Sequence, residues 1–193
     1  MSGSVLSSYT HWDKHPRLYV QRLAQDLGCE RGTNAATVAC LQALDALTLQ
    51  EHTLHFLQML WTGPNVWHPF SDAHFAADDP FLPLDPATAL RTGRFTRVPM
   101  IMGTNHDEGA FNLIGYLKGF VHLEDVERDW ETVGPLILFH RSIDEVTEKD
   151  VELAGEVKRF YFGDRPIAEE TTHEYIKMMG DHMFLAGVDQ TVE

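Results

Sequence analysis

The sequence predicts an α/β chain that is rich in helices and carries few strands, those few lying centrally in a parallel sheet. Three observations predict it. Most of the chain repeats its apolar residues at helical spacing. One stretch, VPMIMG at 98–103, is apolar on both faces and bounded by turn residues, as a strand buried on both sides of a parallel sheet reads. The turn TNHDEG comes directly after it, and open α/β sheets place ligands and catalysis just past the carboxyl ends of their strands.

The elements run in order. SGSVLSS sets Val5 and Leu6 among small residues and predicts a short strand at about 4–6. From Pro16, the segment RLYVQRLAQDLG places Leu18, Val20, Leu23, Ala24 and Leu27 on a helix, which Gly28 stops. Thr33 to Leu47 repeats the pattern, with Thr33 or Asn34 as N-cap. Leu49 to Leu60 is a third helix. Residues 61–97, dense in Pro, Asp and aromatics, read as ordered loop. Within them Pro86 to Leu90 forms one helical turn, capped by Asp85 and closed by Gly93. After the 98–103 strand, Ala110–Leu117, Leu123–Phe139, Thr147–Phe160 and Thr171–Val192 are helical in pattern. In the third of these, Val151, Leu153, Val157, Phe160 and Tyr161 fall nearly on one stripe.

The length, 193 residues, is that of one ordinary domain, and 44% hydrophobic against 23% charged residues supports a packed core. Two buried strands cannot hide the edges of their own sheet, so residues 1–193 read as one partial domain. A formal charge of −14 excludes a phosphate backbone or an anionic membrane as partner. No run reaches the roughly 18 apolar residues of a membrane span, and the first residues lack the pattern of a secretory signal. Cys29 and Cys40 enclose a polar, turn-rich segment. They are compatible with a local disulfide, worth about 3 kcal/mol, or with two reduced thiols.

Two readings fit Asp107 and Glu108. A carboxylate at a strand end orients a histidine and stabilises its charged form. Alternatively, acidic residues here cap the next helix. His106 adjoins Glu108, but neighbours in a turn point apart. His52 and His55 lie three apart on a helix without a third clustered ligand, so no metal site is expected.

The block FLPLDPATALRTGRFTRVPMIMGTNHDEG, residues 81–109, resembles the type-B carboxylesterase and cholinesterase family. That family shows, in the same order, an FLP segment, a short helix ending in glycine, a VP-led strand and a G-x-N-x-D-E-G turn. SGSVLSSY is similar to the strand after the family's nucleophile helix, and MMGDHMFLAGVD to its GD-x-x-F helix start. The resemblance implies a partial α/β-hydrolase fold. It makes Glu108, not Asp107, the acid of the catalytic triad, and Ser2 and Asp181 its supporting residues. It implies a Cys29–Cys40 disulfide, hence a secreted or ER-lumen protein. It also makes Trp61, Trp67 and Phe70 candidate walls of a substrate pocket, against the alternative that they anchor the loop by packing. It implies no cofactor.

The family runs Ser, Glu, His along the chain, with the serine in a G-x-S-x-G elbow. None of Ser2, Ser4, Ser7, Ser8, Ser71 and Ser142 has glycine both two before and two after it. The oxyanion glycines are missing too, and the triad histidine is expected beyond Glu193. The expectation is therefore part of a serine carboxylic ester hydrolase, catalytically incomplete alone, whose whole would act on a small-molecule carboxylic ester. The alternative is a non-catalytic, adhesion-like module that binds a protein partner, to which the acid would be irrelevant.

Overall fold

The computed structural model describes residues 3–7, 16–59, 71–73, 78–117, 119, 121–139 and 145–193. They fall into two units, one spanning 13–68 and the other made of 1–12 with 69–193.

In the first unit, α1 (Pro16–Asp26) opens on a proline that needs no helical N–H and stops where Gly28 turns to φ +64°. Helix α2 (Asn34–Gln42) starts at Thr33, whose hydroxyl accepts the Ala36 N–H at 3.2 Å. The chain does not continue as one helix to Leu47. Asp45 interrupts it by accepting the Leu47 N–H at 2.9 Å and so restarting the helix as α3 (Ala46–Met59). A disulfide joins Cys29 to Cys40. Leu23 is the centre of a small core, packed by Tyr19, Leu27, Leu41 and Leu49.

In the second unit, α4 (Pro86–Arg91) starts where expected and runs one residue past Leu90. Asp85 accepts the Thr88 N–H at 2.9 Å, and Gly93, at φ +66°, ends the turn. Just before it, the Asp72 carboxylate accepts the N–H groups of Phe81 (3.0 Å) and Leu82 (2.8 Å) and pins the loop. Residues 4–6 and 98–103 are not strands. The first form a turn, and the second belong to neither helix nor strand, with Val98, Met100 and Ile101 exposed at 58%, 64% and 94%. A strand is stabilised by neighbours on both edges, and the described residues offer no strand to pair with. A backbone hydrogen bond from the Gly3 N–H to the Gly103 carbonyl, at 3.3 Å, joins the two segments.

The core lies among the C-terminal helices: α5 (Leu113–Leu117), α6 (Leu123–Arg128), α7 (Trp130–Phe139), α8 (Glu148–Phe162), α9 (Thr172–Gly180) and α10 (Ala186–Val192). Leu123, Val126, Trp130, Ile137, Ala154, Phe162, Ile167, Tyr175, Met178 and Met179 are all buried there. Leu123–Phe139 is two helices, separated at Asp129, whose carboxylate is held by Arg128 at 2.6 Å. Helices α7 and α8 touch where Gly134 leaves room. A Cβ at Gly134 would stand 3.1 Å from the Ala154 Cβ, and the Trp130 indole N–H donates to the Ala154 carbonyl at 3.1 Å. Helix α8 begins with a reciprocal cap between Thr147 and Asp150. Its inward stripe is Asp150, Ala154, Val157, Tyr161 and Phe162. Leu153 and Phe160, expected on that stripe, face outward, Phe160 at 79% exposure. Glu127 ties α6 to α8 and to the segment beyond it, binding Lys158 Nζ through Oε1 (2.6 Å) and the Ile167 N–H through Oε2 (2.7 Å).

Replacing both Cys29 and Cys40 by serine is expected to lower the stability of the 13–68 unit by about 3 kcal/mol, as read from urea unfolding. A pH dependence arises from Asp72 and Asp85. Hydrogen bonds from Leu82 and Phe81 hold the Asp72 carboxyl below its ordinary value near 3.8, and Thr88 does the same for Asp85. Both groups bind protons more weakly folded than unfolded. Their contribution is therefore full above the ordinary carboxylate range and drains as pH falls through the lowered folded values. Acid unfolding of Asp72→Asn should accordingly lose part of its steepness below pH about 4.

Candidate functional site

The acidic turn forms a 3₁₀ turn, Glu108–Asn112, that leads directly into α5. Its glycine explains its position. Gly109 is buried, and a Cβ on it would lie 1.9 Å from the Ile176 carbonyl oxygen and 2.6 Å from the Gly180 nitrogen. Gly180 is the counterpart: a Cβ there would stand 3.2 Å from the Gly109 nitrogen and 3.9 Å from the Glu108 Cβ. Two glycines thus let the turn and the end of α9 meet backbone to backbone.

The helix does not end at Gly180. It widens into a π turn, Asp181–Leu185, before α10. Such i→i+5 turns inside helices occur frequently at functional sites. Asp181, the first residue of this turn, lines a cavity of about 440 Å³ together with Glu108, His106, Asp107, His173 and Lys177. Of the expected site residues, the structure thus brings Glu108 and Asp181 together. Ser2, Trp61, Trp67 and Phe70 lie outside the described residues.

The hydrogen bonds separate the two neighbouring acids. Glu108 Oε1 accepts the Asn105 N–H at 2.8 Å, reaching back along the chain. Asp107 pairs with His106 Nδ1 at 2.8 Å, both side chains being largely exposed, and makes no side-chain cap to the turn it precedes. Asp107 stands at the N-cap position of the turn and Glu108 in its first turn, but Asp107 makes no side-chain cap bond to it. His52 has its own use within α3, with Nδ1 3.0 Å from the Thr48 carbonyl.

Asp181 has a partner that sequence reasoning missed. The Tyr161 hydroxyl, from α8, donates to Asp181 Oδ2 at 2.8 Å. Burial, and then this anionic acceptor, push the Tyr161 phenol well above its ordinary range. Tyr161 sits on the inward stripe of α8 at helical spacing, and that placement signals packing rather than a polar role. Gly109 and Gly180 stand in the quoted motifs, but their contact, 71 residues apart in sequence, gave no signal there.

The carboxylesterase family model matches residues 1–193. The chain belongs to the carboxylesterase family. Membership implies the α/β-hydrolase fold. Among the relatives, a carboxylic ester hydrolase of Bombus ignitus is 25% identical over 185 residues, 95% of this chain and 32% of its own length. Cholinesterase 1 of Branchiostoma lanceolatum is 32% identical over 136 residues, 65% of this chain and 35% of its own. Esterase FE4 of Myzus persicae is 26% identical over 192 residues, 97% of this chain and 32% of its own. The carboxylesterase-family chain thus spans about a third of the length of these relatives. Among its described residues, no helix is long and apolar enough to cross a membrane.

Gly109→Ala should be among the most damaging single-methyl additions in the chain. The methyl meets backbone rather than a movable side chain, and the expected loss is about 3 kcal/mol or more in urea unfolding. Gly155→Ala on α8, with nothing within 4 Å of its Cβ position, is the control and should gain about 0.5–1 kcal/mol.

Proposed function

We propose that this chain is the acid-bearing part of a serine carboxylic ester hydrolase and that Glu108 is the acid of its triad. One observation carries the reading. Glu108 is held on the wall of a cavity by a glycine-locked turn, and its carboxylate is oriented by a backbone N–H. A carboxylate fixed in this way selects one tautomer and one orientation of an imidazole and stabilises the imidazolium.

In the whole enzyme, a serine hydroxyl attacks the carbonyl carbon of a small carboxylic ester. Its proton passes to a histidine that Glu108 orients, and the histidine then protonates the departing alkoxide. Water, deprotonated by the same histidine, releases the acid. No serine of this chain sits in a G-x-S-x-G elbow, so the nucleophile comes from another segment and residues 1–193 alone are catalytically incomplete; in this reading the histidine is supplied from another segment as well. In that whole, residues 98–103 become a paired strand. Ser2 and Asp181 then support the acid, and Trp61, Trp67 and Phe70 wall the ester pocket. The Cys29–Cys40 disulfide supports a secreted or ER-lumen protein. A purely adhesive module would not require a carboxylate held in this manner.

The test replaces the matching third of Esterase FE4 with residues 1–193 of this chain. The chimera should hydrolyse short-acyl nitrophenyl esters, and its Glu108→Gln form should lose about 10³–10⁴ in kcat with circular dichroism unchanged. Full turnover by the Glu108→Gln chimera would remove Glu108 from the mechanism. Residues 1–193 by themselves should show no turnover above buffer.

A further inference from the structure

A second cavity, about 340 Å³ and mostly apolar, lies beside the acid cavity. Leu138, Phe139, Val157, Met178 and Tyr161 are among its walls. Asp181 lines both cavities. On one side it shares a wall with Glu108, separated from it along the chain contact only by Gly180, whose Cβ position is 3.9 Å from the Glu108 Cβ. On the other side its Oδ2 accepts the Tyr161 hydroxyl.

We propose that Tyr161 is a positioning residue for Glu108, acting through the Asp181 carboxylate. Nothing in the family reading assigns it. Asp181 opens a π turn of the kind frequent at functional sites, and it directly follows Gly180, the residue on which the Glu108 turn rests. A hydrogen bond from a phenol to a carboxylate is charge-assisted and about twice as strong as a neutral one. Tyr161 is itself anchored, because α8 is capped by Thr147 and Asp150 and packed through Ala154 on Gly134 of α7. The phenol therefore transfers the rigidity of the α7–α8 pair to the π turn. The Glu108 turn is seated on Ile176 and Gly180 at the end of α9, immediately before that π turn.

The inference rests on Glu108 being a triad acid, but its test does not read esterolysis, so either reading can fail without the other. The reporter is the Asn105 amide, which donates to Glu108 Oε1 at 2.8 Å. In 15N-labelled residues 1–193, Tyr161→Phe should shift the Asn105 amide resonance and raise its hydrogen exchange about tenfold. Asp181→Ala should do the same, and the double variant should do no more than either single one. The Trp130 indole N–H, bonded to the Ala154 carbonyl, reports the core and should not move. An unmoved Asn105 amide in Tyr161→Phe with the Trp130 signal intact overturns the proposal, as does strict additivity in the double variant. If Tyr161→Phe does not fold, Asp181→Ala is read alone, and an unmoved Asn105 amide there overturns it equally.

Discussion

The approach of two backbones at Gly109 and Gly180 is the constraint on which the rest of the site depends. Any side chain at 109 would overlap the Ile176 carbonyl, so the turn and the end of α9 come together only because position 109 is bare, and Gly180 eases the same approach from the other side. The contact puts Glu108 and Asp181 on the walls of one cavity. It is held from behind by α9, whose Tyr175, Met178 and Met179 are buried in the core. Burial of such side chains stabilises by about 1.5–3 kcal/mol each. The half-buried Glu108 carboxylate is thus positioned by apolar packing one helix turn away as well as by the Asn105 N–H.

The chain is strongly acidic, and its carboxylates repeatedly do one thing: they accept backbone N–H groups. Asp45 and Asp85 start helices, Asp150 completes the cap of α8, Asp72 pins a loop, and Glu127 holds the Ile167 N–H. Each satisfies a donor that the local backbone leaves without a helical partner. Glu108 uses the same bond on Asn105. Its neighbour Asp107 lines the same cavity, but it is paired with exposed His106 whereas Glu108 is held by the Asn105 N–H, so the two are not equivalent.

Features set by a few adjacent residues were legible in the sequence. The Thr33 and Asp85 caps, the stops at Gly28 and Gly93 and the start of α8 at Thr147 all stand where local turn chemistry puts them. The break between α2 and α3 was expected a few residues later and falls at Asp45, whose carboxylate takes the Leu47 N–H; the break at Asp129 was missed because apolar spacing runs through it. The family resemblance singled out Glu108 and Asp181, and the fold brings both to one cavity. Their partners were hidden. The Tyr161 hydroxyl and the glycine pair act across 20 and 71 residues, and no periodicity registers such distances.

The 98–103 segment carries the largest departure from expectation, and it alters how the acid is held. VPMIMG is apolar on both faces, a composition that is stable as a strand only when both edges and both faces are covered. Here its Val98, Met100 and Ile101 are exposed, and its backbone is joined to Gly3 through Gly103. It therefore supplies no rigid mount. Yet the turn after it keeps its 3₁₀ geometry, its bond to Asn105 and its seat on α9. The acid turn must then be organised from its C-terminal side, by the helices it packs on. Covering the strand would add to this arrangement from the other side without having to create it.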